Sequence, residues 1–142
     1  MRALLDVNVL IAVLDPDHAF HRTASGWLAE HAEHGWASCP LTQNGCIRIM
    51  AQPGYSSPVG MGLVMAHLQA MCESPAHRFM ADDVSLLSPT VFNHAHIHGH
   101  RQITDVYLLA LAVKKAARMV TFEGRIRLSC VLGAQGWHLV VL

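Results

Sequence analysis

Three acidic residues stand at the ends of apolar stretches. Asp6 closes the run Met1-Arg2-Ala3-Leu4-Leu5 and is followed at once by Val7-Asn8-Val9-Leu10-Ile11-Ala12-Val13-Leu14. Asp105 opens the segment Val106–Val113, and Glu123 closes Met119-Val120-Thr121-Phe122. An ionised carboxylate at the rim of a buried segment is costly unless it is paired or coordinates a cation. Carboxylates brought together repel one another unless a divalent ion compensates them. Oxygen-only ligands select Mg²⁺ or Mn²⁺ over zinc. Each acid also has a plainer use. Asp105 can complement the dipole of a helix capped by Thr104, and Glu123 taken alone reads as a loop acid.

Whether the acids meet depends on the elements that carry them. Ala3–Leu5 reads as a strand and Asn8–Leu14 as a helix stopping before Pro16. His18–His34 has helical spacing through Phe20, Ala24, Trp27, Leu28 and Ala32. Trp36–Cys39 is a short strand, with Thr42 the expected N-cap of a helix running to Met50. Pro58 opens a helix to about Cys72, and His77–Met80 is a strand. Thr104–Ala117 is the clearest helix, and Met119–Phe122 and Trp137–Leu142 are strands. Alternating strands and helices predict a mostly parallel sheet of four to five strands, covered on both faces. In such a sheet, strand C-termini and the helix N-termini that follow them share one edge. Asp6 and Glu123 fall there directly. Asp105 joins them if the chain before its helix returns to that edge.

Composition narrows the class. The chain has 142 residues, 52% hydrophobic and 14% charged, which suits one domain with a real core and argues against disorder. No apolar stretch reaches the roughly 18 residues of a membrane span, and Asp6 spoils a signal-peptide reading. A cytoplasmic location is expected. Cys39, Cys46, Cys72 and Cys130 have no CxxC pairing and read as reduced thiols. The formal charge is zero but unevenly spread: Arg101–Arg127 holds six basic and two acidic residues, the remainder four basic and eight acidic. Such asymmetry is compatible with a polyanion lying across the C-terminal part.

Four segments, Leu4–Ala12, Pro40–Arg48, Ile103–Ala112 and Val120–Glu123, resemble in order the four motifs of PIN-domain nucleases, most closely the VapC toxins of bacterial toxin–antitoxin modules. They span nearly the whole chain and leave no extra domain, so residues 1–142 are expected to form a single PIN-like nuclease domain. The resemblance implies an α/β/α sandwich and a Mg²⁺- or Mn²⁺-dependent endoribonuclease, toxin component of a toxin–antitoxin system. It also implies a homodimer and a VapB-like antitoxin partner. By motif matching, Asp6, Asp105 and Glu123 fall on metal positions. Asn8, Thr104 and Thr121 are placed to support them by hydrogen bonding.

Two departures stand out. Gln43 replaces an acid of the second motif, removing a charge and weakening a second metal more than the first. Glu123 replaces Asp in the fourth, keeping the charge with one more methylene of reach. The implied chemistry is metal-assisted hydrolysis of a phosphodiester, with Asp6 and Asp105 as direct ligands and Arg101, Arg125 and Arg127 holding the RNA backbone. The competing reading is a catalytically weak or inactive PIN-like module that binds RNA or a partner protein.

The tract Asn93–His100 alternates four histidines that would share one face of an extended strand and could hold a transition metal. A polar loop, an RNA contact and a partner contact compete with that. Asp82-Asp83 reads as a solvated turn. Val106–Val113 is more apolar than one helix face requires, which fits burial on all sides or a dimer seam. Met61, Leu63, Met65, Leu68 and Met71 could form an adaptable groove, although core packing is the simpler role.

Overall fold

A computed structural model describes residues 1–142. The elements in chain order are β1 (Ala3–Leu5), α1 (Val7–Leu14), α2 (His21–Glu30), β2 (Trp36–Ser38), α3 (Pro40–Met50), α4 (Met61–Cys72), β3 (His77–Phe79), α5 (Ile103–Lys114), β4 (Arg118–Thr121) and β5 (Leu139–Val141). All strand pairings are parallel, and the five strands lie in the order β3-β2-β1-β4-β5.

That order follows from the connections. The chain steps outward from β1 through β2 to β3, then returns past its start to lay β4 on the other side of β1. The β1/β4 boundary is therefore the switch point of the sheet, where α/β folds open a crevice at the strand C-termini. Leu5 pairs with Val120 across it. The Asp6 N–H continues the ladder to the Val120 carbonyl at 3.0 Å.

Alternation along the strands sends side chains to two cores. Leu4, Ala37, Cys39 and Met119 pack under α5, where Val106 and Leu108–Ala112 are buried. Ala3, Leu5, Trp36 and Val120 pack under α1, α3 and α4. Helices thus cover both faces, as the alternation of elements predicts. Segments from Met80 to Ile97 and from Ile126 to Ala134 close over the outer side of α5. Its long apolar run serves burial on nearly every side.

Helix starts differ from expectation for local reasons. Pro40 takes the first position of α3, so Thr42 sits a turn inside the helix. Its hydroxyl accepts from the Cys39 N–H at 3.0 Å rather than capping from outside. Gly60, not Pro58, precedes α4. Residues before His21 form a turn, and Ala32–His34 a 3₁₀ turn, so α2 is shorter than its periodicity suggested. Only Val64 and Leu68 of α4 are buried, whereas Met61, Leu63 and Met65 are exposed. Core packing therefore does not explain those three. Gly45 on α3 meets α1 closely, since a Cβ there would lie 2.8 Å from a Val7 methyl carbon.

Candidate active site

Asp6 is built in by the first strand-to-helix junction. Its extended backbone makes it the N-cap of α1, and its Oδ1 accepts from the Val7 N–H at 2.6 Å. Its Oδ2 accepts from the Thr121 hydroxyl at 2.9 Å, a bond joining residues 115 apart in sequence. Thr121 is the last residue of β4 and fully buried, and its Oγ1 also accepts from the Glu123 N–H at 3.1 Å. One hydroxyl thus fixes the first acid and the loop that carries the third. Burial pushes the Asp6 carboxyl above its usual range, opposed by the Thr121 and Val7 bonds, with the Glu123 charge adding to the rise.

Asp105 comes to the same edge by a route that its helix alone does not reveal. The chain passes along the outer face of α5, turns through the 3₁₀ segments His94–His96 and His100–Gln102, and winds straight into α5. Asp105 stands in the first turn of that helix, half-buried. Its carboxyl is pushed up to about 6 by burial first, then by the charges of Asp6 and Glu123, with no hydrogen-bond donor to offset them. The three acids are within electrostatic reach of one another, and Asp105 is the one left without any partner.

Glu123 is occupied differently. Its Oε1 accepts from the Arg125 backbone N–H and Nε, both at 2.9 Å, and its Oε2 accepts from the other end of that guanidinium at 3.2 Å. The Arg125 hydrogen bonds hold its carboxyl below the usual range. With Glu123 turned to Arg125, no three acid, histidine or cysteine side chains stand ready as a complete coordination sphere. The donor chemistry nevertheless fits a hard divalent ion. Asp105 is a bare oxygen ligand beside two further carboxylates, and repulsion among them is what such an ion relieves.

A cavity of about 350 Å³ opens beside these acids, lined by His98, Arg101, Gln102, Asp105, Val106, Glu123, Arg125, Ile126 and Arg127. All three arginines proposed from sequence are therefore brought together with two of the acids. Lys114 and Lys115 are not; both are bonded to Asp83 at the far end of α5. Asp83 is accordingly paired rather than merely solvated, and Asp82 accepts from the Leu41 N–H at 3.0 Å, capping α3.

The supporting residues divide. Thr121 does more than expected, because it serves Asp6 as well as Glu123. Thr104 is exposed and does not cap, since the 3₁₀ turn runs directly into the helix and Gln102 takes the cap position without a side-chain bond. Asn8 is exposed on α1, and Asp6 takes its bonds from Val7 and Thr121 instead. Gln43 does not line the cavity, and its side-chain bonds go elsewhere. Its Nε2 donates to the Ser38 hydroxyl at 2.9 Å and lies 3.9 Å from the Cys72 sulfur. Ser38 in turn bonds the His77 Nε2 at 2.8 Å. The physical reason is the neighbourhood of α3: an amide can satisfy the buried Ser38 hydroxyl from there, and Gln43 spends its donor on it.

His98, one of the tract of alternating histidines, and Gln102, which was not singled out from sequence, also line the cavity. Gln102 Oε1 accepts from the backbone N–H groups of His98 and Gly99 at 2.8 and 3.0 Å, so it braces the loop over the site. Gly99-x-x-Gln102 carries only the glutamine half of a capping box, a weak signal that could have pointed to it. The histidine tract is not extended. His94–His96 form a turn, His94 bonds the Leu86 carbonyl at 2.7 Å, and the four imidazoles form no metal cluster.

No family model matches the chain. Among curated proteins, ribonuclease VapC44 of Mycobacterium tuberculosis is 45% identical over 142 residues, covering the whole of both chains. Ribonuclease VapC39 of the same species is 36% identical over 134 residues, 94% of this chain and 96% of that one. Ribonuclease VapC38 is 41% identical over 122 residues, 85% and 84% of the two chains. Among solved structures, VapBC2 from Rickettsia felis, bound to a DNA fragment from its promoter, superposes with a TM-score of 0.57. It covers 87% of this chain and 89% of that one, at 11% identity. That likeness bears on the fold. The 45% identity over the full length of a named ribonuclease, on a sheet whose switch point gathers Asp6, Asp105 and Glu123, establishes that the chain belongs to the VapC ribonuclease family.

Proposed function

We propose that this protein is a Mg²⁺- or Mn²⁺-dependent endoribonuclease, the toxin of a toxin–antitoxin pair, with residues 1–142 acting as one nuclease domain. The observation that carries the metal reading is Asp105, a half-buried carboxylate with no donor, raised to about 6 beside two other acids. Asp6 and Asp105 would hold one ion, with Glu123 completing its surroundings once released from Arg125. Such an ion supplies an activated water and compensation for the charge that develops on the phosphate.

The chain's own part is positional. Thr121 locks the Asp6 carboxylate, and Gln102 braces the loop bearing His98. Arg101 and Arg127 line the cavity wall, where they can take phosphate oxygens without reading bases. With Gln43 bonded to Ser38, nothing supplies a fourth acid, which supports one metal rather than two.

A VapB-like antitoxin as partner, a homodimer and a cytoplasmic location are part of the same reading. The relatives' names and the VapBC2 complex support the antitoxin. No helix is long and apolar enough to cross a membrane. The deciding experiment is incubation of the purified chain with total cellular RNA, with Mg²⁺, Mn²⁺ or chelator, beside Asp6→Asn. Cleavage that needs metal and Asp6 supports the reading. RNA binding without cleavage in either metal favours the inactive binding module instead.

A further inference from the structure

We propose that Arg125 is an exchangeable counter-ion, held by Glu123 before metal enters and passed to an RNA phosphate afterwards, so that metal and RNA binding reinforce each other. The inference rests on the metal reading above and adds a coupling that it does not contain. Both oxygens of Glu123 are taken by Arg125, one of them twice. The arginine side chain is 90% exposed and that of Glu123 34%, so the guanidinium can leave without unpacking anything.

The two groups of bonds have different fates. The backbone N–H of Arg125 stays on Oε1 whatever the side chain does, so Glu123 remains aimed after the guanidinium departs. The departing cation stays in the same cavity as Arg101, Arg127 and His98, where a phosphate would lie. Asp105, which lines the same cavity, has no cation of its own. The fold thus neutralises one acid internally and leaves the other bare. A divalent ion reaching Glu123 must compete with the guanidinium. A phosphate that draws Arg125 away removes that competitor. By linkage the two effects are equal in binding free energy. Exposed ion pairs are weak, so the coupling is expected to be about two- to fivefold.

The test uses the full chain. Mn²⁺ binding is measured by the free-ion electron paramagnetic resonance signal, without RNA, for the parent, Arg125→Gln and Asp105→Asn. The expected result is about two- to fivefold tighter Mn²⁺ binding in Arg125→Gln and loss of binding in Asp105→Asn. Loss of a nearby positive charge alone also favours a cation, so Arg127→Gln, which removes a cavity arginine not bonded to Glu123, should give a smaller gain, and an equal gain overturns the exchange. In chelator, the affinity for a fluorescein-labelled single-stranded RNA is measured for Glu123→Gln with and without Arg125→Gln. The RNA affinity gained by Glu123→Gln should be larger when Arg125 is present. Unchanged or weaker Mn²⁺ binding in Arg125→Gln, with Asp105→Asn still abolishing it, overturns the exchange and leaves the nuclease reading intact. An equal RNA gain with and without Arg125 also overturns it. If Asp105→Asn binds Mn²⁺ as the parent does, the metal reading itself fails.

Discussion

Asp105→Asn removes a charge that the metal-free fold holds at a loss, so it should stabilise the protein. The carboxyl is raised from 3.8 to about 6, by burial first and then by Asp6 and Glu123. For an acid raised in the folded state, the folded form binds the proton more tightly than the unfolded chain. Its stabilising contribution is complete below pH 3.8 and lost as the pH rises through about 6. The full shift corresponds to about 3 kcal/mol. Because Asp105 is only half-buried, solvent screening reduces this to about 1–2 kcal/mol.

Asparagine keeps the shape without the charge. At neutral pH in chelator the variant should exceed the parent by that amount, raising Tm by about 3–8 °C. Below pH 3.8 the two should converge. Added Mn²⁺ should reverse the order, because an ion that binds only the folded parent stabilises it by mass action. Urea unfolding at neutral and acid pH, with chelator or Mn²⁺, reads all of this. A variant no more stable than the parent at neutral pH in chelator would refute the claim that Asp105 is an uncompensated charge.

Thr121→Val removes the hydroxyl from Asp6 Oδ2 in a buried setting. It should cost about 1–3 kcal/mol in urea unfolding and lower the cleavage rate. Gln43→Glu should not raise cleavage, because the side chain at position 43 is engaged with Ser38 beside Cys72; enhanced turnover in a cleavage assay would contradict that role. Arg101→Ala and Arg127→Ala should each weaken RNA binding and reduce its salt slope by about one, measured by fluorescence anisotropy across a salt series.

Much of this architecture was legible because the strands are short, apolar and separated by helix signals. Ala3–Leu5 and Asp6 announce a buried strand ending at a cap, and the same design recurs at Val120–Glu123. The convergence of Asp105 was not legible from its helix. It depends on the irregular path from Met80 to Gln102, whose turns come from His94, Gly99 and Gln102 rather than from any periodic pattern. Side-chain partners were the least visible. Thr121 reaching Asp6, Gln43 turning to Ser38, and Arg125 closing on Glu123 are choices among donors that only the packed chain brings within range. For His94, His96, His98 and His100, alternation left an extended strand and a polar loop both open, because period two signals a strand only where the backbone is extended; the chain takes the loop.

Whether Asp6 and Asp105 share a single catalytic ion is read from the stoichiometry of Mn²⁺ bound by the parent, by Asp6→Asn and by Asp105→Asn, with RNA cleavage followed in the same samples. One ion per chain, lost in both variants together with cleavage, is the predicted result. Two ions per chain, or cleavage that persists when either variant has lost its ion, would contradict it.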